Sequence, residues 1–279
     1  MTASSADAGL APGLPRRIGA RLGYYLPALI VLIVGLVLWE ALTRAMNVRA
    51  FILPPPTAIG SALAENWSGG QWSLAPSVFA TLQEAIGGLV IGTVTGSIVG
   101  FAVARWGTAR DSVLPIAIAA NAIPIIAIAP IFNNWFGVLN PLSKMMIAAL
   151  LVFFPVMINV TRGLSQVHPS ALELMRSYAA SEGTILRVLR IPNALPYFFT
   201  ALKIATTLSL IGAIVGEYFG GSNAVLGRVV VESASGLRFD VTWAAILLAA
   251  ATGIAFYLVI VAIERLVIPW HASMRGQEA

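Results

Sequence analysis

The sequence predicts an all-α integral membrane protein of about six transmembrane helices, with N- and C-termini inside the cell. Three observations carry that expectation. Of the 279 residues, 58% are hydrophobic and only 10% are charged, against roughly 25% charged in a soluble domain. The few charges fall between long apolar runs, each near the roughly 20 residues a helix needs to cross the hydrocarbon core. The basic residues divide unevenly between the loops on the two sides. Cysteine is absent, which removes disulfides, thiolate metal sites and cysteine nucleophiles. The net charge of +5 fits basic loops at a membrane face. A lipid bilayer is therefore the expected surrounding, and nucleic acid is not an expected partner.

Residues 1–21 form a polar tail ending in Arg16, Arg17 and Arg21, expected in the cytoplasm. The first span is Leu22–Trp39. Its apolar run passes directly into Glu40, Ala41 and Leu42 with no small-residue cleavage site, so a retained helix is expected. The second span, Ala85–Ala104, lies between Glu84 and Arg105. The uncharged stretch from Ser112 to Ser143 is too long for one crossing. Asn133-Asn134 and Gly137–Pro141 interrupt it, which leaves a third helix at about 113–132. Met145–Thr161 is the fourth, about 196–217 the fifth, and about 241–264 the sixth.

With a cytoplasmic N-terminus, eleven basic residues fall inside: Arg16, Arg17, Arg21, Arg105, Arg110, Arg162, Arg176, Arg187, Arg190, Arg265 and Arg275. Five fall outside: Arg44, Arg49, Lys144, Arg228 and Arg238. The asymmetry satisfies the positive-inside rule, and two cytoplasmic termini require an even number of crossings. The chain then divides into a tail at 1–21, the first span with an outer loop at 22–76, a transmembrane domain at 77–268, and a cytoplasmic tail at 269–279. In the outer loop, Leu53-Pro54-Pro55-Pro56-Thr57 reads as extended and Ala58–Glu65 as a short interfacial helix.

Within the spans, Gly88, Gly92, Gly96 and Gly100 recur every four residues and so share one helix face. Small residues at this spacing let helix backbones approach closely in lipid. Asn121, Pro124 and Pro130 in the third span, and Pro155 and Asn159 in the fourth, point two ways. Proline frees a carbonyl and bends the axis, and a buried amide needs a partner or water. These residues either line a pathway or bond between helices, for example Asn121 to Asn159. Lys203 lies within the fifth span and is expected to snorkel to the cytoplasmic interface. Glu84 and Glu217 fall near the outer helix ends and are expected to be solvated or paired.

Residues 165–195 form a long inner segment with strong helical character. Ser170 and Glu173 are spaced like a capping box. Gly183 is expected to break or end that helix. Ile185, Leu186, Val188 and Leu189 alternate with Arg187 and Arg190 in a second short helix that Pro192 ends. Two short amphipathic helices at a turn make a knob below the membrane, suited to a groove on a partner protein.

This segment resembles the EAA loop, the coupling-helix loop of ABC importer permeases. Glu173 takes the glutamate position, Leu189 the aliphatic position and Ile191-Pro192 the closing pair. Leu174 and Met175 replace the two alanines, and Ala179 replaces the glycine. The resemblance extends over about residues 77–265. Thr81-Leu82 with the glycine ladder, Ala122-Ile123-Pro124, Pro130, Trp135-Phe136-Gly137, Phe153-Phe154-Pro155 and Gly163-Leu164 are similar to the nitrate, sulfonate and taurine branch. The wording from Glu173 to Ser181, with Leu195-Pro196-Tyr197 and Ala201–Ala205, is more similar to the subgroup for thiamine-pyrimidine precursors and riboflavin.

The resemblance implies an inner-membrane permease subunit, not an enzyme, with two ATPase subunits docked on Glu173, Leu174, Met175, Ala179, Gly183, Leu189, Ile191 and Pro192. It further implies a second permease copy and an extracytoplasmic solute-binding protein. The chain has no Gly-x-x-x-x-Gly-Lys-Ser/Thr motif, so it lacks the loop that cradles nucleotide phosphates. No cofactor is expected on this chain, and ATP with Mg²⁺ belongs to the ATPase. The alternative is a secondary transporter or channel, which needs an ion or proton relay that the sparse intramembrane charges do not suggest. His168 and His271 have no carboxylate pair or metal-ligand spacing beside them, and no catalytic constellation is evident.

Overall fold

The computed structural model describes residues 14–222 and 224–269, with side-chain surroundings from Leu26 onward. Most of the expected N-terminal tail, and the C-terminal tail from residue 270 with His271 and Arg275, lie outside the described residues. The described chain is helical throughout: α1 (Leu14–Ala45), α2 (Pro56–Glu65), α3 (Leu74–Arg105), α4 (Gly107–Ala120), α5 (Ile125–Phe136) and α6 (Pro141–Ser165). There follow α7 (Pro169–Ser177), α8 (Glu182–Ile185), a π turn (Leu186–Arg190), α9 (Ile191–Tyr218), α10 (Leu226–Ser235) and α11 (Phe239–Val267). Proline occupies a first-turn position of α2, α6, α7 and α9, where its fixed φ suits the helix and its missing N–H costs nothing. Asn140 caps α6, its Oδ1 accepting from the Leu142 N–H at 3.0 Å.

The core is a trio of helices, α3, α6 and α9. The glycine ladder of α3 lies against the backbone of α6. A Cβ at Gly92 would stand 2.5 Å from the Ala149 carbonyl oxygen, and one at Gly96 2.7 Å from that of Phe153. At Gly100 it would stand 2.8 Å from the Met157 carbonyl oxygen. The opposite flank of α6 meets α9 in the same way, with Gly212 so placed that a Cβ would be 2.6 Å from Ala148 Cα. Val152 and Val156 of α6 are fully buried with Ala201 and Ala205 of α9. Gly88 also packs on Ala148, so this alanine sits between glycines of two helices, and the packing expected from the four-residue spacing is present.

Contact order along the trio fixes its directions. On α3 and α6 the partners rise together, Gly88 with Ala148 and Gly100 with Met157, so these helices are parallel. On α6 and α9 they run oppositely, Gly163 with Ala194 and Ala148 with Gly212. α11 reverses α9, since Lys203 meets Glu264 and Leu210 meets Gly253. Two parallel helices require the chain between them to return across the membrane. The expected third span, 113–132, is in fact two helices, α4 and α5, bent by 91° at residues 121–124; together they supply that return. Trp39 of α1 packs edge-on against Trp243 near the start of α11, centroids 5.6 Å apart. Among the described residues this makes five long spans and, with the bent α4–α5 pair as one more, six crossings, with α1 beginning and α11 ending on one face.

At the other face, α2, α10 and the starts of α3 and α11 close over a small apolar cluster of Ile59, Ala62, Leu74, Leu226, Val229 and Val241. Several expected boundaries shift. α3 begins at Leu74, eleven residues before Ala85, because Leu74 and Ser77 are buried in that cap. Lys203 does not snorkel freely. Its Nζ pairs with Glu264 Oε2 at 2.8 Å, and that carboxylate is buried. Much of the remaining surface is apolar, including the α1 row Leu29, Val31, Leu36 and Val37, as a lipid-facing surface requires.

Candidate coupling surface and translocation elements

The segment joining α6 to α9 is a two-helix elbow on the face where α1 begins and α11 ends. Its root is stiff. Asn193 Nδ2 donates to the Gly163 carbonyl at 2.7 Å and to the Gln166 carbonyl at 3.1 Å, tying the start of α9 to the end of α6. Ile185 is buried, and the π turn carries α8 into α9 without a break in the helical path. Ser181 caps α8, its Oγ accepting from the Thr184 N–H at 3.2 Å.

α7 projects from this root with no buried residue. Glu173 is exposed, Leu174 is 56% exposed and Tyr178 77%, with Val188 of the π turn at 62%. Apolar side chains this open, flanked by Arg176 and Arg187, form an uncovered contact surface. Three local expectations need correction. Ser170 does not make a capping box: His168 is the cap residue, and its Nδ1 shares a hydrogen bond of 2.6 Å with Ser170 Oγ. Gly183 does not end α7; it lies in the first turn of α8 at an ordinary φ. Pro192 opens α9 rather than closing the preceding turn.

The actual break is at Ala179, whose φ is +51°. The Ala180 N–H bonds the Met175 carbonyl at 3.0 Å and the Ala179 N–H the Arg176 carbonyl at 2.9 Å, the paired bonds of a Schellman turn. Glycine is the usual residue in that left-handed position because it has no Cβ. The glycine that Ala179 replaces in the family pattern therefore has a structural reason, and alanine holds the same turn at a steric cost. Of the expected docking residues, Glu173 and Leu174 face outward and Met175 is half-buried. Leu189 and Pro192 are half-buried at the root of α9 and Ile191 is partly open beside them, so these three anchor the elbow.

The intramembrane candidates separate into two groups. Asn121, Pro124 and Pro130 are exposed on the bent α4–α5 pair, and Asn121 borders an apolar cavity of about 180 Å³ with Ile128, Leu150, Leu151 and Phe154. Pro155 and Asn159 are half-buried in α6. Asn159 Nδ2 donates to the Pro155 carbonyl at 2.8 Å, so it bonds along its own helix and not to Asn121. Gly88, Gly92, Gly96 and Gly100 are buried in the α3–α6 seam and serve packing. Glu84 and Glu217, expected to be solvated or paired at helix ends, and Lys144, expected among the outer basic residues, are all buried.

A bundle with six crossings and a stiff amphipathic knob outside the membrane is the build of a transport subunit worked from outside the bilayer. Residues 88–271 match the family described as binding-protein-dependent transport system inner membrane component, and the chain belongs to that family. It is 32% identical to the riboflavin transport system permease protein RibX of Chloroflexus aurantiacus, over 88% of this chain and 90% of that one. It is 30% identical to the formylaminopyrimidine transport permease protein ThiX of Halalkalibacterium halodurans, over 85% and 92% of the two chains. Its fold is similar to a chain of the MetNI methionine ABC transporter in inward-facing form, with a TM-score of 0.61 and 20% identity, covering 71% of this chain and 97% of the other.

The protein is thus the permease subunit of an ABC importer, a multi-pass protein of the bacterial inner membrane. ATP hydrolysis lies in separate ATPase subunits, and transport depends on a binding protein.

Proposed function

We propose that the elbow at Pro169–Arg190 is the cytoplasmic surface on which an ATPase subunit docks, and that two copies of this permease, each with one ATPase, enclose the pathway. The observation that carries the reading is the pairing of an open apolar face with a rigid root. Leu174, Tyr178 and Val188 offer a partner contact, and Asn193 transmits displacement of the elbow to α6 and α9. ATP and Mg²⁺ reside on the ATPase, and this chain holds no cofactor. Dimerisation of the ATPase subunits on ATP moves the elbows, and the bundles rock between outward- and inward-open states. The bent α4–α5 pair, with Asn121, Pro124 and Pro130 exposed, borders the pathway on this reading.

The elbow reading is tested with Glu173→Lys and Leu174→Asp. Each is expected to abolish co-purification of the ATPase subunits while membrane insertion stays intact. Normal co-purification of both variants overturns it.

The solute class we propose is a heteroaromatic nutrient related to riboflavin or a thiamine-pyrimidine precursor. The support is the identity to permeases whose own solutes are riboflavin and a formylaminopyrimidine, together with the wording of the elbow. Affinity of the cognate binding protein for such a compound is the check; affinity confined to sulfonates, taurine or nitrate overturns this part alone.

A further inference from the structure

A cavity of about 220 Å³ lies where the three core helices meet the elbow face. Arg105 is the last residue of α3, Leu164 is next to last in α6, and Arg190 directly precedes α9. The cavity therefore sits where the spans leave the hydrocarbon, the level of phospholipid headgroups. Its floor is apolar. Leu164 is buried, and Leu186 of the π turn packs against the same cluster. Its charged groups are the Arg105 and Arg190 guanidinium groups and the carboxyl group of Glu182 in α8.

These charges are not paired with one another. Among the described residues, neither arginine nor Glu182 belongs to an ion pair. Two guanidinium forks on one cavity suit a phosphate group, which arginine can bind through two parallel N–H donors. A carboxylate on the same cavity repels a bare anion and suits a cation. A ligand carrying both a phosphate and an ammonium group satisfies all three side chains.

The membrane side of the cavity indicates what else the ligand carries. Phe101 lines it and is 44% exposed. From there an exposed apolar row continues along α3 through Ile98, Val94 and Val90. Steps of three and four residues keep the row on one face, turned away from the glycine ladder that packs on α6. At 1.5 Å per residue the row is roughly 16 Å long. That is close to half the hydrocarbon thickness, about 15 Å, and so to the depth of one leaflet. A soluble phosphate compound makes no use of such a row, whereas an acyl chain does. Basic pockets between membrane helices are a known means of holding lipid headgroups.

We propose that the cavity at the root of the elbow binds one aminophospholipid, with its phosphate on Arg105 and Arg190, its ammonium group facing Glu182, and an acyl chain along Phe101, Ile98, Val94 and Val90. The cavity is bounded by α3 on one side and by α8 and the π turn on the other. The lipid thus joins the elbow to α3, as Asn193 joins it to α6 and α9. Placing this lipid in the inner leaflet rests on the reading of the elbow as cytoplasmic; the site itself does not.

The test uses the assembled transporter, permease with its ATPase subunits, in nanodiscs of phosphatidylethanolamine and phosphatidylglycerol in equal amounts. Lipid retained after release is counted by native mass spectrometry. Wild type is expected to keep phosphatidylethanolamine in preference to phosphatidylglycerol. Arg105→Gln combined with Arg190→Gln is expected to lower retained phospholipid several-fold, and Arg105→Gln alone, at an exposed position, to lower it in the same direction. Glu182→Gln is expected to keep phospholipid but lose the preference for the ethanolamine headgroup. The ATPase subunits are expected to remain bound in all of these variants, so failure of the docking reading at Leu174 and Tyr178 leaves the lipid count unchanged. Retention at the wild-type level in both arginine variants overturns the proposal. Displacement of the lipid by millimolar inorganic phosphate overturns it in favour of a soluble anion. Loss of the ATPase subunits from Arg105→Gln with lipid retention unchanged overturns it in favour of a protein contact.

Discussion

At Gly92 a single added carbon decides whether two helices can meet. A Cβ there would press on the Ala149 carbonyl oxygen at 2.5 Å, and a backbone atom in a helix cannot step aside. Overpacking of this kind costs about 1–3 kcal/mol, so Gly92→Ala is expected to lower the thermal unfolding midpoint of the purified permease. Gly60 has nothing within 4 Å of a Cβ position and lies exposed in α2. There Gly60→Ala gains helix propensity, worth up to about 1 kcal/mol, and the midpoint is expected to hold or rise. If both substitutions shift the midpoint equally, the ladder is not a packing seam. The four-residue spacing made Gly88, Gly92, Gly96 and Gly100 legible in the sequence, because helical period alone places them on one face. Burial of Glu84, Lys144 and Glu217 was not legible. Each lies where hydropathy marks a helix end, and what removes it from water is α10 folding back from more than 130 residues beyond Glu84, with Gly227 on Glu217 and Leu226 on Thr81.

Among the elements, the elbow depends on its root more than on its own helices. α7 is nine residues long, too short to persist alone in water, and it is held by the Ala179 turn and by Asn193. Replacing Asn193 by alanine removes both bonds to the Gly163 and Gln166 carbonyls, a loss of about 1–3 kcal/mol. Given the docking reading, Asn193→Ala is expected to keep its ATPase subunits while solute uptake per ATP hydrolysed falls several-fold in proteoliposomes. Unchanged coupling would show that the joint does not transmit force. The existence of the elbow was legible from its amphipathic pattern and the Glu173-to-Pro192 spacing. Its boundaries were not, because Pro192 reads equally as a terminator or as the first turn of a helix. Likewise Pro124 marked a bend in the third span, but a sequence gives no angle. The 91° turn follows from how α4 and α5 pack separately, Ala117 on Met157 and Ile158, and Asn133 Nδ2 on the Gly216 carbonyl at 3.1 Å.

For the whole molecule, the parallel α3–α6 pair sets the topology. It forces α4 and α5 to count as one crossing, which makes the total even. The absence of native cysteine makes this simple to check with single thiols. An impermeant reagent added outside intact cells is expected to label Gly69→Cys and to miss Tyr178→Cys until the membrane is opened. Labelling of both from the same side would show that the chain does not cross as the contacts require. Hydropathy alone revealed that five long spans exist, since helices such as Phe239–Val267 are apolar over a bilayer's length, but it missed the first eleven residues of α3.

The seating of Ala148 between Gly88 and Gly212 also governs what can bend. With backbone touching backbone on both flanks, no slack remains for one member to slide past its neighbours. Tilting any of the three drags the others, as planks glued edge to edge. Whatever opens and closes this protein must therefore articulate at its seams: the right-angled fold beside Asn121 and the short α10 at the face opposite the elbow.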